Sequence, residues 1–319
     1  MSWPIRLEDV RAARERLRPH LAPTPLARYP GLDALAGCRV LLKHEEKNPT
    51  GSFKARNGLS VVAAPCEEKR RRGVVAATRG NHGLGLAWAG ARLGVPVTIC
   101  VPRGNSPLKN DAMRALGVRL VEEGRDYDEA VAVMERLSRA EGLRQVHSTN
   151  DPLVIAGAAT LTWEIHEQAD DLDAMVVAVG GGSQAVGALT VLRELRPGVA
   201  VFGVQAAGAS AIHDSWHAGR PLEKDAADTF ADGLATRKTY ALTFPALREG
   251  LAGFTAVPDA AIADALTALR DVTGTTPEGA GAAGFAGLLR LKERLAGRTV
   301  AVVLSGANID PETLRGALG

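Results

Sequence analysis

Aromatic residues are scarce in this sequence, at 4% of its 319 residues. Proteins that bind unpaired bases stack them on aromatic side chains, and so small a supply leaves few such platforms. Neither sign of charge is in excess, because 38 Lys and Arg residues stand against 36 Asp and Glu residues. The arginines are also scattered rather than clustered into a basic stripe. These shortages argue against nucleic acid as a partner.

Long apolar runs and paired cysteines are missing as well. No run reaches the roughly 18 uninterrupted apolar residues that indicate a membrane-spanning helix. The first nine residues are already charged and lack the apolar segment of a signal peptide. Cys38, Cys66 and Cys100 are odd in number and lie outside any CxxC spacing, which favours reduced thiols over disulfides or a metal site. We therefore expect a cytoplasmic protein without a membrane partner.

Short valine-rich runs alternate with helical patterns along most of the chain. The predicted strands lie at 40–43, 74–77, 96–101, 118–121, 175–179, 201–204 and 299–304, and the clearest predicted helices at 6–20, 81–93, 106–116, 126–141 and 152–168. Such alternation is typical of an α/β fold with parallel-rich, twisted sheets flanked by helices. The length indicates two domains, and we expect residues 73–147 to form a small α/β domain inserted in a larger one.

A lysine occupies an unusual position in the stretch from Asn48 to Gly58. Turn-forming residues follow the strand at 40–43, and a helical pattern begins at Ser52, so Lys54 falls in the first turn of a helix. A helix N-terminus carries partial positive charge and favours acids. A partly desolvated lysine there has a lowered pKa and becomes a nucleophile suited to Schiff-base chemistry. The simpler alternative is a solvated surface lysine.

Three loops at the carboxyl ends of predicted strands are candidate ligand sites. The loop at 78–83 precedes a helix whose N–H groups attract a carboxylate or phosphate, unless it is an ordinary turn capped by Asn81. The glycine loop, Gly180-Gly181-Gly182-Ser183, allows several backbone donors to approach a phosphate. Ser305 follows the last strand, where its hydroxyl could contact a heterocycle nitrogen or cap a helix.

Two other classes of site have weaker support in the sequence. Gly180, Gly182 and Ala185 also fit a dinucleotide fingerprint, which leaves a nicotinamide oxidoreductase as a rival hypothesis. Gln205 replaces the acid that this fingerprint expects near the end of the next strand. His213 and His217 have the spacing to share a helix face, but no third metal ligand accompanies them, so an exposed histidine pair is the alternative.

A phosphate-bearing aldehyde accounts for the lysine, the glycine loop and the hydroxyl together, as pyridoxal 5′-phosphate does. Four motifs resemble those of the fold type II pyridoxal-phosphate enzymes, specifically the serine/threonine dehydratase (ammonia-lyase) and serine racemase group: Pro49-Thr50-Gly51-Ser52-Phe53-Lys54, Gly80-Asn81-His82-Gly83, Gly180-Gly181-Gly182 and Ser305-Gly306-x-Asn308. They run in the family's order from about residue 20 to 310. The resemblance implies a two-domain fold like that of the tryptophan synthase β chain, with 1–72 and 148–319 as the large cofactor-binding domain.

The resemblance also implies a role for each motif. Lys54 would bind the cofactor and remove the substrate α-proton, Asn81 would contact the cofactor's phenolic oxygen, and Ser305 would face its ring nitrogen. The remaining cofactor contacts would be Phe53, Gly180, Gly181, Gly182, Ser183 and Gly233. The substrate would be bound by Ser52, Thr78, Arg79, Gly80, Asn81 and His82. The implied reaction is β-elimination of water from an amino acid of the L-threonine/L-serine class, giving a 2-oxo acid and ammonia, in a homodimer.

Three departures from the family pattern limit this transfer, of which the mildest is Ser183 in place of a fourth glycine. Gln205 and Ala211 stand where metal-activated members carry acids, so we expect no metal site. Arg79 stands where racemases carry a serine base, and a guanidinium stays protonated at physiological pH, so dehydration is expected to dominate over racemisation. The alternatives that stay open are a substrate such as 3-hydroxyaspartate, a bulkier 3-hydroxy amino acid, and amino acid racemisation.

Overall fold

Strands and helices alternate along the chain in a computed structural model that describes residues 3–64 and 72–318. The strands are β1 (Leu26–Arg28), β2 (Arg39–His44), β3 (Val74–Ala77), β4 (Val97–Val101), β5 (Arg119–Glu122), β6 (Arg144–Gln145), β7 (Ala174–Ala178), β8 (Ala200–Ala206), β9 (Gly253–Val257) and β10 (Thr299–Leu304). The helices are α1 (Leu7–Leu17), α2 (Pro30–Ala36), α3 (Lys54–Val62), α4 (Asn81–Leu93), α5 (Pro107–Ala115), α6 (Tyr127–Glu141), α7 (Pro152–Gln168), α8 (Ser183–Leu195), α9 (Ala211–Ala218), α10 (Phe244–Gly250), α11 (Asp259–Thr273), α12 (Gly279–Arg290), α13 (Lys292–Leu295) and α14 (Pro311–Leu318). Short 3₁₀ helices lie at Glu45–Lys47, Ala207–Ala209 and Asp232–Leu234.

The strands form two sheets. The larger has the order β1-β2-β10-β7-β8-β9, and the smaller has the order β5-β4-β3-β6. Every pairing is parallel except that of β1 with β2. The expected α/β fold with parallel-rich sheets is therefore confirmed. The smaller sheet uses strands from within 74–145, but the domain boundaries at 72/73 and 147/148 stay a prediction.

The larger sheet is covered on both faces, which explains its continuous apolar strands. Every residue of β10 is buried. Ala301 and Val303 face one core cluster, whereas Val300, Val302 and Leu304 face the other. Successive side chains of a strand point to opposite faces, so a strand with helices above and below is apolar at most of its positions.

Several elements differ from the sequence predictions. The first helix is α1, shorter than the predicted 6–20, and α3 begins at Lys54 because Ser52 instead bridges to Gly306. β1, β9 and the glycine-rich helix α12 were not predicted. Glycine weakens a helix, but here it permits close packing: a Cβ on Gly287 would lie 2.0 Å from a methyl of Val204. Tertiary contact thus overrides local propensity in α12.

The described residues also bear on the membrane and cysteine predictions. None of the helices between residues 3 and 318, with 65–71 left aside, combines the length and apolar character needed to cross a bilayer. Cys38 and Cys100 are buried free thiols, as expected. Burial raises the pKa of each to about 11. Cys66 lies outside the described residues.

Candidate active site

The glycine loop connects β7 to the start of α8. A Cβ on Gly180 would lie 2.3 Å from the carbonyl oxygen of Gly233, and one on Gly181 would lie 1.9 Å from Thr149 Oγ1. Gly182 has φ +97°, a left-handed conformation that glycine adopts without strain. Ser183 opens α8 and is buried. The result is a bare backbone loop at the positive end of a 13-residue helix, which suits a phosphate.

Lys54 is the first residue of α3, so its predicted place in the first helical turn is confirmed. The side chain is partly buried, with Nζ 4.8 Å from the centroid of the Phe53 ring. Nζ donates to the carbonyl of Ser148 at 3.4 Å. Burial lowers the pKa of Lys54 to about 8, although Glu278 acts in the opposite direction. A larger share of unprotonated amine is therefore available near neutral pH, as a nucleophile requires.

The loop before α3 is joined to the loop after β10. Phe53 N donates to Ser305 O at 3.0 Å, and Ala307 N donates to Gly51 O at 3.0 Å. These bonds bring the Ser305 motif beside Lys54. The Ser52 hydroxyl is buried without a hydrogen-bond partner among the described residues, and Ser305 Oγ donates to Ala280 O at 3.3 Å.

A buried ionic network that sequence reasoning missed lies behind α3. Arg56 donates to Glu45 at 2.7 and 2.9 Å and to Glu164 at 2.6 and 2.8 Å. Lys43 donates to Glu164 Oε2 at 2.7 Å. Burial alone would lower the pKa of Arg56, but its two carboxylate partners raise it overall. The available signal was Lys43 at the end of the predicted strand 40–43, directly after Val40-Leu41-Leu42, because charged residues are rarely fully buried unless paired.

A chain of amides joins Asn81 to the same region. Asn308 Nδ2 donates at 2.7 Å both to Thr50 O and to Asn81 Oδ1. Asn81 Nδ2 in turn donates to Glu278 Oε1 at 2.7 Å. Glu278 was not among the predicted site residues. A lone glutamate between Pro277 and Gly279 carries no local signal for a partner 197 residues away.

The predicted substrate loop lies between β3 and α4. Thr78 is buried and its Oγ1 accepts from Gly80 N at 3.2 Å. Arg79 is exposed and makes no hydrogen bond or ion pair with the residues that the structure describes. His82 is buried, with Nε2 3.4 Å from Val146 O. Burial and the charge of Lys54 lower the pKa of His82 to about 3, so its ring is neutral at physiological pH.

Two of the three tyrosines in the chain also lie near Lys54. Tyr127 is hydrogen-bonded to Ser148, whose carbonyl accepts from Lys54. Tyr240 packs edge-on to His147, with ring centroids 5.2 Å apart. His147 Nδ1 accepts two backbone N–H bonds, at 3.0 and 2.9 Å. Desolvation and the charge of Lys54 lower the pKa of His147. Tyr127 and Tyr240 are far apart in sequence, so sequence reasoning missed this cluster, which only the fold brings together.

The residues considered for metal binding are engaged in other contacts. Gln205 Nε2 donates to Thr236 Oγ1 at 3.2 Å, and its Oε1 accepts from His213 N at 2.9 Å. His213 and His217 share a face of α9 with ring centroids 4.5 Å apart. Across 3–64 and 72–318, no group of three or more His, Cys, Asp and Glu side chains could hold a metal ion.

The donors assembled here fit pyridoxal phosphate. The glycine loop has no room for side chains on Gly180 and Gly181, as a phosphate cradle requires. The amine of Lys54 has a lowered pKa, and Ser148-Thr149 touches both features: Ser148 O contacts Lys54, and Thr149 packs on Gly181. The geometry therefore places a nucleophilic amine and an anion-binding loop at one site.

Comparisons with known proteins identify the family of the chain. Residues 17–306 match the family model described as pyridoxal-phosphate dependent enzyme. The chain is 38% identical over 306 residues to L-threonine ammonia-lyase of Thermotoga maritima, a match that covers 96% of this chain and 76% of that protein. The structure of maize serine racemase superposes with a TM-score of 0.94 at 26% identity, covering 99% of this chain and 97% of the racemase.

The structure of the processed form of threonine deaminase isoform 2 from Solanum lycopersicum superposes with a TM-score of 0.92 at 31% identity, covering 98% of this chain and 91% of the deaminase. These matches confirm the predicted resemblance, fold and cofactor, and they decide against the nicotinamide oxidoreductase. The chain belongs to the pyridoxal-phosphate dependent enzyme family, together with threonine ammonia-lyases and serine racemases.

Proposed function

We propose that this enzyme eliminates water from a 3-hydroxy amino acid of the L-threonine/L-serine class and releases a 2-oxo acid and ammonia. One observation carries the proposal: Ser148-Thr149 brings the amine of Lys54 to the glycine loop of a chain 38% identical to an L-threonine ammonia-lyase. Pyridoxal phosphate, when bound, supplies an electron sink for the charge left at the substrate α-carbon.

Each predicted residue has a part in this proposal. Lys54 holds the cofactor covalently and accepts the α-proton, and its lowered pKa favours the unprotonated amine that both tasks need. The N–H groups of the glycine loop bind the phosphate. Asn81 donates to the cofactor's phenolic oxygen, and the neutral hydroxyl of Ser305 faces the ring nitrogen without forcing its protonation. Phe53 and Gly233 line the cofactor.

The substrate carboxylate binds the loop at the start of α4. Thr78, Gly80 and the helix N-terminus offer hydroxyl and backbone donors there, with Ser52, Arg79, Asn81 and His82 completing the predicted set. A neutral His82 keeps the loop free of a further buried charge. These donors orient the substrate so that its α-hydrogen faces the base.

Arg79 supports dehydration of a monocarboxylic substrate. Racemisation needs a base on each face of the α-carbon, and a guanidinium cannot act as one. A second substrate carboxylate would need a free cation in the pocket. Arg79 is exposed, whereas Lys109 already lies 3.5 Å from Asp232 and 3.6 Å from Asp310. We therefore favour the serine/threonine class over 3-hydroxyaspartate.

We further propose that the enzyme is a cytoplasmic homodimer. The buried free thiols of Cys38 and Cys100 support a reducing compartment. The dimer is carried over from the family resemblance. Light scattering on the purified holoenzyme tests the dimer, and cell fractionation tests the location; a monomer, or recovery outside the cytoplasmic fraction, contradicts the respective statement.

The experiment that tests the activity combines labelling with a substrate panel. Borohydride reduction of the yellow holoenzyme should fix the cofactor on the peptide that contains Lys54, and Lys54→Ala should take up no label. L-threonine and L-serine should yield ammonia and oxo acid faster than 3-hydroxyaspartate in wild type and Arg79→Ser alike, and the wild type should form little D-isomer. Label on another lysine would refute the site, and rapid D-serine formation would refute the dehydratase.

A further inference from the structure

Glu278 is an ionisable residue at the site with no part in the roles above. It precedes α12 and occupies the N-cap position, yet its side chain makes no capping bond to its own helix. Instead its Oε1 accepts from Asn81 Nδ2 at 2.7 Å, which joins α12 to α4. A Cβ on Gly306 would lie 2.5 Å from Oε1, so the carboxyl is packed against the loop that follows β10.

The hydrogen bonds around Asn81 determine which way its amide points. A carbonyl oxygen can only accept, so Thr50 O must receive its bond from Asn308 Nδ2. The second hydrogen of the same nitrogen goes to Asn81 Oδ1. Asn81 therefore directs its nitrogen at Glu278, which takes one of the two amide hydrogens. The second amide hydrogen has no partner within the described residues and is left for a ligand.

The groups around Glu278 include both signs of charge. Lys54 of α3 and Lys109 of α5 are the cations, and Asp232 of the 3₁₀ helix Asp232–Leu234 is the anion; Asn81 is the hydrogen-bond donor. Burial raises the pKa of Glu278 to about 7, and Asp232 acts in the same direction, while Lys109, Asn81 and Lys54 oppose it. The carboxyl thus changes charge near neutral pH.

We propose that Glu278 is a positioning residue that holds one amide hydrogen of Asn81 and so presents the other to the phenolic oxygen of the cofactor. This inference rests on the role of Asn81 in the proposed function. An ionised acceptor makes a stronger hydrogen bond than a neutral one, so the amide is held more firmly as Glu278 loses its proton. Cofactor affinity should therefore depend on pH through a residue that does not touch the reacting atoms.

The test measures the dissociation constant of pyridoxal phosphate for cofactor-free wild type, Glu278→Gln and Glu278→Asp between pH 6 and 9. Glutamine keeps an acceptor but cannot ionise. We expect Glu278→Gln to bind the cofactor more weakly, with a ratio to wild type that grows about tenfold from pH 6 to 8. The cofactor's own titration affects wild type and variant equally, so it cancels in this ratio. Glu278→Asp keeps the charge, and its ratio should change much less with pH.

Two further variants separate the possible failures. Asp128→Asn breaks the surface ion pair with Arg237 and should leave the affinity unchanged at every pH. If Asn81→Ala binds the cofactor as wild type does, the proposed role of Asn81 fails. If Asn81→Ala weakens binding but the Glu278→Gln ratio stays constant with pH, only the role of Glu278 is overturned. If the proposal is right, Glu278→Gln should cause no further loss of cofactor affinity in an Asn81→Ala background.

Discussion

Replacing Arg56 by methionine should strongly destabilise the protein, and more than replacing Lys43 in the same network behind α3. The guanidinium makes four bonds of 2.6 to 2.9 Å to two carboxylates, Glu45 and Glu164. Methionine fills much of the same volume but donates nothing. Glu45 would lose its cation, whereas Glu164 would keep the bond from Lys43 at 2.7 Å.

The size of the effect follows from the cost of an unpaired buried charge. Breaking a buried pair by removing one partner costs about 3–5 kcal/mol, against a total stability of about 5–15 kcal/mol for a typical native protein. Lys43→Met leaves both carboxylates bonded to Arg56, so it should cost clearly less. Removing both charges in Arg56→Met/Glu45→Gln should recover part of the loss, since a neutral amide has a smaller desolvation penalty.

Urea unfolding of the cofactor-saturated enzyme, followed by far-UV circular dichroism, measures these differences. The midpoint should fall in the order wild type, Lys43→Met, Arg56→Met, with the double variant above Arg56→Met. A loss below about 1 kcal/mol for Arg56→Met would place the network in the range of exposed pairs and refute the argument. The argument would also be refuted if Arg56→Met/Glu45→Gln were no more stable than Arg56→Met.

Three other predictions concern the site. In Gly181→Ala the added methyl would lie 1.9 Å from Thr149 Oγ1. Cofactor affinity should therefore fall at least tenfold while the circular dichroism spectrum is retained. Unchanged affinity would contradict the assignment of the glycine loop as the phosphate site. Activity should survive treatment with a chelator, because Gln205 replaces a carboxylate and hard cations prefer anionic oxygen ligands. Activity that is lost to the chelator and restored by Mg²⁺ would contradict this prediction. Glu278 has a pKa raised to about 7, so the stability that its neutral form contributes is lost as pH rises through 7. In thermal unfolding of the cofactor-free protein, Glu278→Gln should therefore gain up to roughly 3 kcal/mol relative to wild type between pH 5 and 8. A difference in stability that does not change with pH would contradict the raised pKa.

Local pattern predicts the elements whose reasons are local. β3 at Val74–Ala77, α4 at Asn81–Leu93 and α7 at Pro152–Gln168 have the predicted bounds, because a buried strand is a short apolar run and these helices begin at turn-forming residues. α12 has the opposite character. Its glycines disfavour a helix locally, and close contact with neighbours such as Gly306 and Val204 makes small residues necessary there.

The same distinction applies to the site. Lys54 and the glycine loop were predictable because each lies at a junction between a strand or turn and a helix. Glu278 was not, since its partner is 197 residues away in sequence. Arg56 bonds Glu164, 108 residues away, as well as Glu45, 11 residues away, and α3 mixes polar with apolar residues, so the burial of Arg56 is not visible in the sequence. A buried charge is easier to recognise when it falls within a predicted buried strand, as Lys43 does in β2.

Two sets of charged residues near the site differ in how completely they are paired: Arg56 with its carboxylates, and Lys54 with Glu278. This difference explains why the first is structural and the second chemical. Arg56 has two carboxylate partners, which hold its charge against desolvation. Lys54 and Glu278 lack such complete pairing. Desolvation lowers the pKa of Lys54 to about 8 and raises that of Glu278 to about 7. A desolvated amine and a buried acid without full pairing are costly to stability, and groups whose pKa values are perturbed in this way cluster at functional sites.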